Sequence, residues 1–288
     1  TGVLGASLLT LGGTDQQKQT FLPQIVDGTL TTALALEESN RHAPHSIETV
    51  AKKSGDNFII SGTKNFVIDG HSSKLLIVAA RTEGEKNDAS GITLFLVESD
   101  NQDLEITKTS MVDSRNAANI KFNDVSVSSE NIIGEENNGA SVLEVVLDRA
   151  QIAISAEMLG NASQAFDLTL EYLKERKQFG AVIGTFQALQ HRAAEMYSEL
   201  ELTKSSVIAA CNAVDQNSND LRRMASLAKF KSGETNYLIT NEAVQMHGGV
   251  GVTDEYDVGL FMKRARVTEQ IFGNSEYHID RYATLSDY

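Results

Sequence analysis

The sequence holds one cysteine and two prolines in 288 residues, and fewer basic residues than acidic ones. Each shortage excludes something. The single thiol, Cys211, has no intrachain partner, so a reducing compartment is the default expectation. With only Pro23 and Pro44 there is no Pro-rich linker, and no repeat or low-complexity segment interrupts the chain. No apolar run approaches the roughly 20 residues that span a bilayer, so membrane insertion is not expected. The net charge of -14 (25 Lys+Arg against 39 Asp+Glu) is spread along the chain, which argues against nonspecific binding to nucleic acid or to anionic membranes. The chain opens at Thr1 without Met, shows no signal-peptide pattern and reads at once as helix. Part of its front is therefore expected to be missing, and a targeting segment could have been lost with it.

What remains is ample for folding: 41% apolar residues can build one large domain or two ordinary ones. Thr14-Asp15-Gln16-Gln17 reads as an N-cap box leading into Phe21, Leu22 and Ile25, with Gly28 as the stop. From about residue 30 the pattern changes to short apolar or alternating runs at 33–36, 58–60, 66–68, 75–78, 92–97 and 120–122. Gly62, Gly70, Gly84, Gly91 and Asn123-Asp124 read as turns between them. An all-β unit, barrel or sandwich, fits this spacing. From Gly139 to about Tyr282 the period is helical, with breaks near 180–185, 217–220 and 248–253. The expected fold is α+β: the end of an N-terminal helical domain (1–29), a middle β domain (30–135) and a C-terminal four-helix bundle (136–288).

One stretch stands at a corner of the helical half. Arg176-Lys177-Gln178-Phe179-Gly180, with Phe186-Gln187 behind it, joins helical segments at about 140–173 and 188–214. A helix-to-helix loop is normally small and polar, whereas this one carries two cations, an aromatic and a glycine. It reads either as a helix C-terminus with a glycine cap or as a ligand-binding corner.

Three further stretches follow the same order. Gly62-Thr63-Lys64-Asn65-Phe66-Val67 lies in the β unit, Phe122-Asn123-Asp124-Val125-Ser126-Val127 leads to Ile132-Ile133-Gly134, and Gln245-Met246-His247-Gly248-Gly249-Val250-Gly251 closes a later helix. Together the four resemble the acyl-CoA dehydrogenase family of flavoproteins over essentially the whole chain. The resemblance implies FAD lying between the β domain and the bundle, with its adenosine half reaching a neighbouring subunit. It assigns Arg176, Phe179, Gln187, Gln245, Gly248, Gly249 and Asn274 to the cofactor, and Ala35, Leu36, Phe66 and Ile68 to the flavin ring. A fixed guanidinium and closely approachable backbone are what a pyrophosphate requires. Two departures accompany this. Hydrocarbon stands at Leu36 and Ile68 where the family offers a hydroxyl. Glu38-Ser39-Asn40-Arg41-His42 replaces a Gly-Ser-Asp near the thioester, and Arg41, His42 and His45 read either as acyl-CoA contacts or as a polar surface loop.

The family's reaction removes a proton α to a thioester carbonyl and a hydride from the β carbon, and it needs a carboxylate base. The two positions that the resemblance assigns to that base hold Phe272 and Ala150. Asp148, Glu269 and Glu276 are nearby acids, but none matches the position, and no catalytic base is assigned. Glu144 and Asp148, four apart, are expected to decorate a solvated helix face. The six histidines show no metal-ligand spacing, so no metal is expected. Tyr277 and Tyr282 either cover the bundle end or pack at a subunit contact.

Three functions stay open: an active acyl-CoA dehydrogenase, a catalytically silent subunit of a heteromeric one, and a flavin oxidase or monooxygenase on the same fold. The resemblance further implies an acyl-CoA substrate, an electron-transferring flavoprotein as acceptor, a homo- or hetero-oligomer (dimer or tetramer), and a bacterial cytoplasm before a mitochondrial matrix.

Overall fold

The computed structural model describes all residues, 1–288, and the chain divides into two compact units, Thr1–Leu147 and Asp148–Tyr288. Two short helices open the first unit, α1 (Leu4–Gly12) and α2 (Asp15–Val26). The second begins on a reciprocal capping box: Gln17 N–H donates to Thr14 Oγ1 at 3.2 Å, and Thr14 N–H donates to Gln17 Oε1 at 3.0 Å. The Gln17 amide also donates to Glu130 O and Ile132 O, both at 2.9 Å, which ties the helix to the end of the β region.

Eight strands follow: β1 (Thr32–Ala35), β2 (Val50–Ser54), β3 (Asn57–Ile68), β4 (Leu75–Arg81), β5 (Ile92–Glu98), β6 (Leu104–Ser110), β7 (Asn116–Ser128) and β8 (Ile132–Ile133). One group runs β6-β7-β3-β2 and the other β4-β5-β8, with β1 parallel to β4; the groups join only at the parallel pair Val50↔Arg81. Their inner faces share one core. Phe58, Ile60, Ile120 and Phe122 come from the first group and Leu76, Val78, Phe95 and Val97 from the second, with the rings of Phe58 and Phe95 5.2 Å apart. This is a sandwich. The strands β2 and β6 are absent from the sequence reading because Val-Ala-Lys-Lys-Ser and Leu-Glu-Ile-Thr-Lys-Thr-Ser contain no apolar run.

Gly62 and Asn123-Asp124 are not turns. Both lie inside long strands, where β3 and β7 pair through two bulges of opposite sense. In the first, Asn123 and Asp124 together oppose Ser61; in the second, Asn65 and Phe66 together oppose Asn119. The two slips cancel, so the original register resumes at Val67↔Ala118, while each bulge reverses the inward parity of its own strand, from Ile60 and Lys64 to Val67 in β3 and from Ile120 and Phe122 to Val125 and Val127 in β7. Gly62 is required at the first because a Cβ there would lie 2.7 Å from Thr49 Cα.

A buried arginine closes the first unit. Arg81 donates to six carbonyls, those of His45, Ile47, Glu83, Lys86, Asp88 and Ser90, at 2.9 to 3.2 Å. Two loops are thereby wrapped around one guanidinium, whose planar fork presents five N–H groups in fixed directions.

The helix α3 (Gly139–Glu175) runs from the first unit into the second. The second unit then holds a short hairpin, β9 (Lys177–Gln178) and β10 (Ala181–Val182), and helices α4 (Gln187–Asp215), α5 (Leu221–His247), α6 (Val258–Gln270) and α7 (Ser275–Thr284). Ala225, Ala228, Ser232, Asn236, Ile239 and Ala243 recur at helical spacing and bury α5, which packs on α4, α6 and α7. The last helical stretch of the expected bundle is divided into α6 and α7 by a turn at 271–274. No helix is long and apolar enough to cross a membrane.

Lysine at position 81 has three donors where arginine has five. Arg81→Lys is expected to leave several buried carbonyls unmet and to lower stability by about 3 kcal/mol or more, read from urea unfolding.

Candidate functional site

In the first unit the singled-out residues gather where β1 ends beside the second bulge. Ala35 closes β1, Leu36 follows it, and both are buried. Phe66 is 37% exposed and sits at φ 51, while Ile68 ends β3 half-buried. Left-handed backbone costs a residue with a side chain on the order of 1–2 kcal/mol, and a phenylalanine there needs outside support. Phe66 N–H donates to Asn119 Oδ1 at 3.0 Å, Asn65 N–H to Glu37 O at 2.7 Å and Asn65 Nδ2 to Glu38 O at 2.8 Å.

Beneath them lies Lys64, fully buried. Its Nζ donates to Leu36 O at 3.0 Å and to Glu38 Oε1 at 2.6 Å. Burial pushes the lysine down to about 8 against the opposing pull of Glu38 and Glu37. Burial alone would raise Glu38, but the Lys64 charge and hydrogen bonds, with those from Thr49 and Glu48, hold it below the ordinary carboxylate value. The stretch after β1 is thus anchored. His42 and His45 face carboxylates, Glu37 at 2.5 Å and Glu144 at 3.2 Å.

In the second unit the corner at 176–187 is a two-residue β-hairpin, not a glycine-capped helix end. Gln178 pairs with Ala181 and Lys177 with Val182, while Phe179 and Gly180 take φ 54 and 78, the type I′ form. Phe179 is 90% exposed. The Arg176 backbone is bonded on both sides, to Tyr172 O and from Ile183 N at 2.9 Å each, but its exposed guanidinium has no partner within the chain. Gln187, the first residue of α4, is exposed as well.

The end of α5 is clamped to the end of α3. The rings of Tyr172 and His247 stack at 4.2 Å, and Tyr172 Oη donates to His247 O at 3.2 Å. Arg176 and the exposed Gln245, Gly248 and Gly249 are therefore carried by two clamped helix ends. Gly248 (φ 62) adopts backbone that needs glycine, and a Cβ on it or on Gly249 would meet open space. His247 Nδ1 bonds Ala243 O at 2.7 Å and buried Nε2 has no partner; burial lowers the ring's pKa, against the pull of the Ala243 carbonyl.

Asn274 belongs to a third place, the turn between α6 and α7, where its Oδ1 caps the helix by accepting from Tyr277 N–H at 3.0 Å. Phe272 and Gly273 in that turn have φ 58 and 98. Phe272 O accepts from His278 Nε2 at 2.9 Å and Gln151 Nε2 at 3.5 Å, while buried Lys229 donates to Glu269 O at 2.9 Å and Gly273 O at 2.8 Å. Arg281 donates to Gln151 Oε1 at 3.1 Å, Ser226 Oγ at 3.0 Å and Asp148 Oδ1 at 2.5 Å. Asp148 is therefore not on a solvated face: it is 2% exposed and held by a guanidinium. Among the other acids, Glu269 Oε1 accepts from Ser275 N–H at 3.1 Å and Glu276 is exposed.

Residues 33–125 match the model described as acyl-CoA dehydrogenase, middle domain, and residues 137–284 match the C-terminal domain model of the same family. The chain is 34% identical over 277 residues to the probable acyl-CoA dehydrogenase YngJ of Bacillus subtilis, covering 95% of this chain and 73% of that one. The chain belongs to the acyl-CoA dehydrogenase family. Among solved structures it is similar to butyryl-CoA dehydrogenase from Megasphaera elsdenii (TM-score 0.93, 30% identity, 99% of this chain and 76% of that one). Another is described as electron transferring flavoprotein of Acidaminococcus fermentans (TM-score 0.92, 29% identity, 98% and 74%). Acyl-CoA dehydrogenases are oxidoreductases that carry FAD. The residues present fit such a group: an unpartnered guanidinium and open glycine backbone suit a pyrophosphate, and half-exposed Phe66 suits a planar ring.

Lys64, Lys229, Arg281 and His247 were not singled out from the sequence. The signal was present for two. Lys64 shares parity with inward Phe58 and Ile60, and Lys229 falls in the buried stripe of α5.

Asparagine tolerates left-handed backbone, and Asn-Gly suits a type I′ turn. Phe179→Asn is expected to raise stability by about 1 kcal/mol in chemical unfolding.

Burial pushes Lys229 down to about 8, with the Glu269 carboxylate opposing. The unfolded chain then holds more protons above pH 8, so the lysine's contribution to stability rises from there toward its unfolded pKa near 10.4. Relative to Lys229→Met, the wild-type chain is expected to gain about 1–2 kcal/mol between pH 7 and 9.5.

Proposed function

We propose that this chain serves the FAD-dependent α,β-dehydrogenation of an acyl-CoA thioester. The observation that carries the reading is the pair of strained, exposed aromatics, Phe66 and Phe179, each beside residues suited to one part of a dinucleotide. Bound FAD supplies the ring that accepts the hydride. Arg176 neutralises phosphate, Gly248 and Gly249 let backbone approach it, and Gln187 and Gln245 add amide groups. Phe66 flanks the ring, and the backbone at Ala35, Leu36 and Ile68 edges it. Residues 30–135 and 136–288 are the middle and C-terminal domains in this reading, behind the end of a helical domain at 1–29. The acceptor is an electron-transferring flavoprotein, a reading that the Acidaminococcus similarity supports. The assembly is a dimer or tetramer, and the bacterial relatives favour a bacterial cytoplasm.

A second reading, the catalytically silent partner of a heteromeric dehydrogenase, has a specific observation behind it. Phe272 and buried Ala150 occupy the base positions, Asp148 is held by Arg281, and Glu269 is engaged by Ser275 N–H. No nearby buried carboxylate is left to take a proton.

The test is an anaerobic absorption spectrum of the purified chain, recorded before and after a panel of acyl-CoA thioesters. A yellow protein that bleaches supports the first reading. One that stays yellow, and bleaches once Phe272→Glu supplies a carboxylate, supports the second. A chain that takes up no FAD alone or with its oligomeric partner contradicts both.

A further inference from the structure

Lys64 is a buried cation whose ammonium is taken up by groups of the chain itself. Every polar contact that its ammonium makes is to the stretch after β1: the Leu36 carbonyl at 3.0 Å and the Glu38 carboxylate at 2.6 Å. Glu38 is in turn fixed from the other side, its Oε1 accepting from Thr49 N–H at 3.0 Å and its Oε2 from Glu48 N–H at 2.6 Å. The next residue along β3, Asn65, holds the carbonyls of Glu37 and Glu38. The residue after that is Phe66, left-handed at φ 51 and 37% exposed. Two segments about 28 residues apart in sequence, 36–38 and 64–66, are thus laced by four hydrogen bonds around one ammonium.

Packing does not call for a charge here. The same space on the inward face of β3 could hold a methionine, and a neutral side chain would avoid the desolvation that pushes Lys64 down to about 8. What an apolar side chain could not do is hold the Leu36 carbonyl and the Glu38 carboxylate at once. Removing the ammonium would leave both buried acceptors without their shared donor, and the strained bulge would lose one of its two walls.

We propose that Lys64 is a positioning residue: it locks the Leu36–Glu38 stretch to the Asn65-Phe66 bulge, so that Phe66 and the end of β1 meet the flavin ring as one rigid platform. The inference rests on the FAD reading above for its ligand, while the lock itself is a property of the chain alone. The charged groups around the ammonium are Glu37 and Glu38 in the stretch after β1 and Arg81 at the end of β4.

The test compares wild type, Lys64→Met and Glu38→Gln. Glu38→Gln keeps an acceptor for the lysine while removing one charge, and it stands in if Lys64→Met fails to fold. In folded Lys64→Met, FAD is expected to bind at least tenfold more weakly, with a broadened visible flavin band and a shifted reduction potential. Glu38→Gln is expected to shift them in the same direction by less. Unchanged affinity, band shape and potential in folded Lys64→Met would overturn the proposal. Amide hydrogen exchange on the FAD-free chains tests the lock separately. Faster exchange confined to residues 36–38 and 64–68, with 92–97 unchanged, supports it; uniform or absent change overturns it. If wild type itself takes up no FAD, the functional reading fails, and the exchange result still decides the lock.

Discussion

A cation taken out of water must be given acceptors, and in this chain the acceptors are largely backbone carbonyls. Arg81 collects six of them from two loops, Lys64 takes one with the Glu38 carboxylate, and Lys229 takes two at the end of α6. A carbonyl held in this way fixes the loop that bears it, which a hydrophobic contact of similar area does less specifically. The chain carries a net charge of -14, yet its most deeply buried charges are mainly positive and serve to organise irregular backbone.

The irregular backbone so organised includes strained aromatics. Most non-glycine residues with positive φ here are Asp, Asn or Ser, which tolerate it; the exceptions are Phe66, Phe179 and Phe272. Each lies in a stretch that the sequence singled out. Lys64 and Asn119 flank Phe66, a two-residue hairpin turn carries Phe179, and Lys229 with His278 holds the carbonyls around Phe272. Strain retained at an exposed aromatic points to function, because a glycine or asparagine would hold the same turn at less expense. The turn at Phe272 is as carefully held as the others.

Much of the architecture was legible because period and punctuation are local. The capping box at Thr14, the apolar runs of β4 and β5, and the helical stripes of α3 to α5 all announced themselves. Where a residue's meaning depended on its partner, the sequence misled. Gly62 and Asn123-Asp124 looked like turns because the compensating bulges that absorb them exist only once β3 and β7 pair. Gly180 looked like a helix cap because a two-residue hairpin is too short to show a period. Asp148 looked solvated because Arg281 lies far along the chain. For the candidate site, motif residues could be named from sequence, and the inward placement of Lys64 and Lys229 could be read from period, but not the groups their ammonium ions reach. Their role follows from the carbonyls they reach.

Each unit presents, on strained and anchored backbone, residues whose chemistry suits a part of a dinucleotide: Phe66 in the first, and Arg176, Gly248 and Gly249 in the second. The most direct measurement is amide hydrogen exchange along the whole wild-type chain, in its oligomeric state, with and without FAD. FAD is expected to slow exchange in the segments around 35–38 and 64–68 of the first unit and around 176–187 and 245–250 of the second. Protection confined to one unit, or falling elsewhere, would contradict this expectation.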